Sequence, residues 1–172
     1  MPRRFRAGEE PPLREFFQQG EAIDEDFEQR FRWLSDEFPY AQGDGFRANR
    51  DFFGEFVVLF ALLVDELQTL NPPSTAEDDF DELLSAGVEL AEFLEGLADG
   101  IEGADSSAEA QRLLDEGLLD IALVLVQLGV MRYRDACESL RELADANDIV
   151  VSSARGIFGE SPIGLPSSEH VP

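Results

Sequence analysis

The apolar residues of this chain recur at the spacing of an α-helix over most of its length. In the first clear segment they are four, four, three and four positions apart, at Ile23, Phe27, Phe31, Leu34 and Phe38. These steps place them on one face of a helix. Pro39 ends this predicted helix, and the composition of residues 41–45 predicts a loop. The same periodicity in later segments predicts an all-α fold.

A second helix is predicted from Phe46 or Asn49 to Leu70, where the Asn-Pro-Pro sequence at 71–73 stops it. Its centre, residues 57–64, is apolar on all sides and is flanked by acidic residues. A membrane-spanning helix needs about 20 apolar residues, far more than this run contains. We therefore interpret the segment as a buried core helix rather than a membrane anchor.

A third helix is predicted to begin after an N-cap residue, either Ser74 or Thr75, and to end near Gly100 and Gly103. The acidic residues at 77–79 suit its first turn, because negative charge is favourable at the positive end of the helix dipole. This acidic cluster therefore has a structural explanation. An apolar stripe follows it, at Phe80, Leu83, Leu84, Val88, Ala91, Leu94 and Leu97.

Ser106 and Glu109 have the spacing of a capping box, which predicts another helix start. The helical pattern then continues from 107 to about 147. One unbroken helix of that length would be about 61 Å long, whereas a compact chain of this size has a diameter of about 40 Å. We therefore predict a break or kink near Gly129. The alternative is that the protein is not a compact monomer.

Both ends of the chain are predicted to be extended arms. Residues 1–20 contain three Pro residues and form an N-terminal arm with at most a short turn near 13–17. Residues 149–172 form a C-terminal tail, in which 149–151 are either a short strand or an apolar anchor. Between the arms, residues 21–148 are the predicted helical domain, a four- to five-helix bundle of orthogonal or up-down type.

The apolar residues of these arms are predicted to dock on other protein chains. In the N-terminal arm they lie beside Pro and Arg, and in the tail they lie between Gly and Pro, where they cannot form a helix. Aromatic and Arg residues are frequent anchors of protein interfaces. The predicted partners are copies of the chain or other proteins in a larger assembly. The candidate interface residues are Phe5, Phe16, Phe17, Ile157, Phe158, Ile163 and Leu165.

Every basic residue of the chain is Arg: 13 Arg residues stand against 37 acidic ones, and the formal net charge is −24. Lys is normally among the commonest residues, so its absence is not chance. Acidic excess with loss of Lys resembles the proteins of extremely salt-loving archaea and their viruses. At molar salt the Debye length is about 3 Å, which screens the repulsion between carboxylates. The alternative is an acidic protein of a high-GC mesophile, in which codon bias replaces Lys by Arg.

The charge distribution argues against nucleic-acid binding by the helical body. Residues 51–111 contain sixteen acids and no basic residue, whereas binding to a phosphate backbone depends on Lys and Arg. Arg3, Arg4 and Arg6 form the only local basic cluster in the sequence, which is either a weak signal of nucleic-acid binding or a solvated terminus.

The chain contains no recognisable catalytic motif. One Cys and one His provide neither a closed zinc site nor a disulfide framework, and a di-iron bundle needs two Glu-x-x-His pairs. Phosphate-loop and nucleophile-elbow motifs do not occur. Cys137 is predicted to be a buried, inert thiol, and His170 to be solvated or an interface contact. We therefore predict no catalytic, cofactor-binding or metal-binding residue and no enzymatic activity.

These observations favour a structural subunit of a larger assembly in a halophilic system. In size and layout the chain resembles the small helical connector proteins at the head–tail neck of tailed viruses, a likeness of architecture only. Two alternatives stay open: a helical accessory or chaperone-like protein that binds a partner's peptide, and an acidic DNA mimic. The N-terminal sequence contains no apolar segment typical of a cleavable signal peptide. The expected location is therefore the cytoplasm of a high-salt organism, or a virion.

Overall fold

The computed structural model describes residues 10–37, 46–117 and 120–151. The described residues form five helices and no strand, which confirms the all-α bundle. The helices are α1 (Glu10–Glu37), α2 (Phe46–Leu67), α3 (Glu77–Glu102), α4 (Ser107–Asp115) and α5 (Asp120–Ala146). Several predictions lie outside the described residues: those on Phe5, Phe38, the 41–45 loop, the tail from 152 onward and His170.

The first helix begins earlier than the sequence pattern predicts. Residues 10–20, predicted as part of an extended arm, are the first part of α1. Pro11 and Pro12 lie in its first turn, where a missing N–H is tolerated because the first amides of a helix have no intrahelical partner. Phe16 and Phe17 are almost fully buried, and the Phe16 ring contacts Phe80 of α3 edge-on, with centroids 5.1 Å apart. The prediction that Phe16 and Phe17 are docking residues of an arm is therefore wrong.

The third helix is central to the bundle, because it packs on both α2 and α5, while α1 packs on α2. The three helices α2, α3 and α5 meet at Gly87. A β-carbon on this glycine would lie 3.2 Å from Val64 Cγ2 and 3.3 Å from Tyr133 Cε2. The Tyr133 ring in turn packs edge-on against Phe60 of α2. The absence of a side chain at position 87 thus allows the three helices to approach closely.

The connection between α2 and α3 differs in detail from the prediction. α2 ends at Leu67 rather than Leu70, and the N-cap of α3 is Ala76 rather than Ser74 or Thr75. A backbone turn replaces the side-chain cap, since the Ala76 N–H donates to the Pro73 carbonyl at 2.8 Å. The predicted acidic first turn of α3 and its end next to Gly103 are confirmed.

The long helical segment is broken, but at Gly117 instead of Gly129. The capping box is confirmed, since the Glu109 N–H donates to Ser106 Oγ at 3.2 Å. α4 ends at Asp115, and Gly117 has a φ of 74°, a left-handed conformation that favours glycine. α5 runs without interruption through Gly129. The predicted break near Gly129 is therefore wrong.

The end of α5 is secured by a Schellman motif. The Ile149 N–H donates to the Ala144 carbonyl at 3.0 Å and the Asp148 N–H to the Asp145 carbonyl at 3.2 Å. Asp148 has a φ of 54°, a conformation that Asp adopts more readily than most residues. The side chain of Ile149 is buried in the core. Of the two alternatives for residues 149–151, the structure shows the apolar anchor.

Candidate docking surfaces

The reactive side chains of the core are shielded from solvent. Cys137 is buried, as predicted, and burial together with the negative charge of Asp24 raises its pKa to about 12. Burial also raises the pKa of Tyr133 well above its usual range, and the nearby Cys137 and Asp24 add to this effect. A thiol that stays protonated at neutral pH is a poor nucleophile and a poor metal ligand. This cluster of Asp24, Tyr133 and Cys137 is therefore part of the core rather than a reactive site.

Within residues 10–37, 46–117 and 120–151, no three His, Cys, Asp or Glu side chains lie close enough together to hold a metal ion. In the same ranges, no helix is both long and apolar enough to cross a bilayer. The distinctive features of this part of the chain are two exposed apolar surfaces, one on α5 and one between α2 and α3.

The first surface is a stripe of four large apolar side chains on α5. They are three, four and three positions apart, the spacing of the core positions in two heptads of a coiled coil. Each of them exposes between 53% and 70% of its surface to solvent. We call this surface the α5 stripe. It consists of Ile121, Val124, Leu128 and Met131.

The segment of α5 that carries the stripe contains no acidic residue. Residues 121–134 form the longest segment of the sequence without Asp or Glu. Of its two Arg residues, Arg132 is bound to α3: its Nε donates to Glu82 Oε1 at 2.8 Å and its Nη2 to Ser85 Oγ at 3.2 Å. This pairing lowers the pKa of the Glu82 carboxyl. The stripe thus lies on an acid-free segment of a strongly acidic protein.

The second surface is a groove of about 370 Å³ between α2 and α3. Val58, Leu62 and Val88 are exposed apolar side chains along it. Val58 and Leu62 belong to the segment predicted to be buried on all sides, so that prediction holds only for the inward-facing residues of α2. A second hollow of about 390 Å³ shares Val57, Val58 and Glu95 with the first and continues the groove toward Arg50.

The lining of the α2–α3 groove includes acidic side chains. Asp65, Glu92, Glu95 and Asp99 line it. None of the four forms an ion pair with any residue in the described part of the chain. Arg50, at the far end, donates through Nη1 to the carbonyl oxygens of Glu102 and Ala104, where it stabilises the C-terminal end of α3. The groove is therefore lined by both apolar side chains and carboxylates.

None of the residues that form these two surfaces is among the predicted interface residues. Phe16 and Phe17 lie together in the core, and the other five predicted residues lie outside the described part of the chain. The sequence indicates only the α5 stripe: within residues 121–134 the apolar residues have heptad spacing, and Asp and Glu are absent. The α2–α3 groove had no such signal, because its apolar residues belong to a run that reads as core.

Comparisons with known protein families, with curated proteins and with solved structures find no match to this chain. A functional interpretation therefore depends on the chemistry of the two exposed surfaces.

Proposed function

We propose that the protein is a non-enzymatic structural subunit of an assembly in a high-salt system, and that copies of it associate through α5. The α5 stripe is the observation that carries the proposal. Burying apolar surface is favourable by roughly 25 cal/mol of free energy per Å². The α5 stripe leaves the apolar surface of two adjacent heptads exposed on one helix face. Contiguous exposed apolar patches on soluble proteins commonly mark interaction sites.

Charge favours a second copy of the chain as the partner at this surface. With a net charge of −24, most faces of two copies repel one another. Residues 121–134 contain no Asp or Glu, so repulsion is least when two copies approach through this part of α5. In an antiparallel arrangement with two-fold symmetry, Ile121 of each copy would pack beside Met131 of the other, and Val124 beside Leu128. The α5 stripes of the two copies then form both sides of the interface.

High salt supports this association in two ways. Screening to a Debye length of about 3 Å weakens the repulsion between the acidic parts of the two copies. It leaves the burial of apolar side chains in place, since that driving force does not depend on charge. A chain with this composition is therefore expected to associate better in molar KCl than in dilute buffer.

The predicted arms extend the proposal from a pair of copies to a larger assembly. Phe5 in the N-terminal segment and Ile157, Phe158, Ile163 and Leu165 in the tail remain the proposed contacts with further neighbours. In its most specific form, the hypothesis is that the protein has a role resembling that of the connector proteins at the head–tail neck of tailed viruses.

A pair of matched substitutions tests the role of the α5 stripe. Leu128→Glu places a charge at the centre of the stripe, whereas Val150→Glu places the same charge at an apolar residue that is 86% exposed and lies outside the stripe. We expect sedimentation equilibrium in molar KCl to show a multimer for the unchanged chain and for Val150→Glu, and a monomer for Leu128→Glu. Circular dichroism should show equal helicity in all three. A multimer that survives Leu128→Glu would contradict the proposal.

A further inference from the structure

The α2–α3 groove is long enough to hold a helix. Its lining runs from Arg50 to Gln68 on α2 and from Val88 to Glu102 on α3. The two helices are antiparallel, because Arg50 at the start of α2 donates to the carbonyl oxygen of Glu102 at the end of α3. At a rise of 1.5 Å per residue, the α2 side of the groove is about 27 Å long, which matches a helix of about 18 residues.

The apolar part of the groove has the spacing that an amphipathic helix requires. Val58 and Leu62 are four positions apart on α2, so they lie on one face of that helix. Val88 lines the groove from α3. These three side chains are 57%, 43% and 38% exposed, respectively. A helix bound in such a groove places apolar residues of its own, three or four positions apart, against side chains of this kind.

The charge of the groove favours a cationic occupant. Asp65, Glu92, Glu95 and Asp99 line it and form no ion pair with any residue in the described part of the chain. Arg50 also lines the groove, but its guanidinium is bound to carbonyl oxygens at the end of α3. Arg or Lys side chains of an occupant would therefore meet carboxylates that have no cation from residues 10–37, 46–117 or 120–151.

A second copy of the chain is a poor source of this cationic helix. The net charge of each copy is −24, and most Arg residues of the described helices pair with acids of their own chain. The longest acid-free segment of the sequence, residues 121–134, is covered by the other copy's α5 in the proposed association. The complementary helix therefore comes from a different protein.

We propose that the α2–α3 groove binds a cationic amphipathic helix of another protein. Its apolar face covers Val58, Leu62 and Val88, and Arg or Lys residues beside that face pair with Glu92 and Glu95. Burial of the apolar side chains is a driving force that does not depend on charge, so it persists in molar salt. The carboxylates select a cationic helix over an acidic one. This surface is separate from the α5 stripe, so the proposal goes beyond self-association.

A set of three peptides tests the proposal on the full chain in molar KCl. The probe is a fluorescein-labelled helix of about 18 residues, the length of the groove, with Leu on one face and Arg on both sides of that face. One control has the same residues in scrambled order, and the other has Glu in place of Arg. Screening to a Debye length of about 3 Å suppresses general attraction to the acidic chain. We expect the probe to bind at least about ten-fold more tightly than either control by fluorescence anisotropy. Equal binding of the probe and a control, or no binding of the probe, would overturn the proposal.

Val58→Glu locates the bound peptide. This change removes an apolar contact and adds a carboxylate, so binding in the groove predicts an affinity about ten-fold lower. General attraction by charge predicts a higher affinity instead, which would contradict the proposal. Val150→Glu is the matched control, since it adds the same charge at an exposed apolar residue outside the groove. Circular dichroism of both variants confirms that they are folded.

A double substitution tests the carboxylates without altering the apolar side chains. Glu92→Gln with Glu95→Gln should weaken binding of the probe about three- to ten-fold. Glu25→Gln with Glu138→Gln is the control, because it removes the same charge at two exposed residues that do not line the groove. Equal affinities of the two double variants would overturn the pairing.

Leu128→Glu separates this proposal from self-association through α5. Peptide binding to the groove should be unchanged in this variant, whereas binding to the α5 stripe would be lost and would overturn the proposal. Sedimentation of the unchanged chain with and without the probe gives a second criterion. A probe that dissociates the multimer would assign the groove to a second copy, which also contradicts the proposal. Failure of α5 association alone leaves the peptide affinities unaffected, so the two failures are distinguishable.

Discussion

Gly129 of α5 packs directly on Leu90 of α3: a β-carbon at position 129 would lie 3.1 Å from Leu90 Cδ1. It would also lie 3.2 Å from Phe93 Cδ2 and 3.4 Å from the Cα atom of Leu90. Leu90 is fully buried, so its side chain has little room to move. This glycine, the tenth residue of the 27-residue α5, thus allows α3 and α5 to approach closely.

Gly129→Ala is expected to lower the free energy of unfolding by about 1 kcal/mol, because overpacking costs about 1–3 kcal/mol and helix propensity returns only about 1 kcal/mol. Gly54→Ala and Gly96→Ala are matched controls, since a β-carbon at either position has no atom within 4 Å. Each control should raise the free energy of unfolding by about 1 kcal/mol. Urea unfolding in molar KCl measures all three. Equal stabilisation by all three substitutions would contradict the close packing of Gly129.

The absence of Lys makes the alkaline pH dependence of stability unusually simple. Burial raises the pKa of Cys137 from its ordinary value of 9.0 to about 12, so the unfolded chain loses this proton at lower pH than the folded one. The resulting stabilisation is fully present below pH 9 and is lost as pH rises toward 12. The free energy of unfolding should fall by up to about 1.4 kcal/mol per pH unit in that window. Tyr133, whose pKa is also raised from its ordinary value of 10.0, adds to the slope from just below pH 10 upward.

Cys137→Ala isolates the contribution of the thiol. Between pH 9 and 10 the variant should lose much less stability than the unchanged chain, with only the smaller contribution of Tyr133 remaining. Urea unfolding at several alkaline pH values in molar KCl gives both profiles. The same slope in both proteins would mean that the thiol does not titrate as its burial requires.

Helical content is expected to be highest in molar KCl or NaCl and to fall as the ionic strength is lowered. The reason is repulsion among 37 acidic residues, which salt screens. Circular dichroism across a salt series measures the effect, and a non-ionic osmolyte at matched osmolality is the control because it does not screen charge. Full helicity with an unchanged melting temperature in dilute buffer would argue against the halophilic interpretation.

Deletion of residues 152–172 is expected to leave the helical body folded in high salt, because Ile149 and the Schellman motif that end α5 are retained. The same deletion should weaken assembly. Ile157, Phe158, Ile163 and Leu165 would each contribute up to about 1.5–3 kcal/mol when buried on a neighbour, before the entropy of ordering the segment is subtracted. Circular dichroism of the truncated chain measures its helicity, and native mass measurement of the same sample measures its assembly. Unchanged assembly would remove the docking role, and lost helicity would place the tail in the core of its own chain.

Much of the fold follows from periodicity and local signals. The apolar steps from Ile23 to Leu34 predict the inner face of α1, and Ser106 with Glu109 predicts the start of α4 at the correct position. The sequence pattern predicts the start of α1 too late because Pro11 and Pro12 are typical helix breakers. Pro is in fact tolerated in the first turn of a helix, and the apolar residues that follow continue the inner face.

Two glycines show why the break in the long helical segment could not be placed from sequence. Gly117 and Gly129 both lie inside a helical pattern. Gly117 adopts a positive φ, whereas Gly129 lies against Leu90 of a helix that is distant in sequence. Only the tertiary packing separates these two roles.

The exposure of these two surfaces could not be predicted from helical spacing for a related reason. Helical spacing identifies an apolar face, but it does not say whether that face is covered by the same chain or by another one. Helical spacing alone therefore does not distinguish Ile121 and Leu128 from core residues, and their exposure is established only once α3 and α5 are packed together.

The most direct test of the account is the mass of the intact chain in molar KCl, measured by sedimentation equilibrium over a range of protein concentrations. Association through the α5 stripe predicts a particle of at least twice the chain mass of 19.1 kDa, with the multimer increasing with concentration. A particle of 19.1 kDa at every concentration would contradict the proposal that this protein is an assembly subunit.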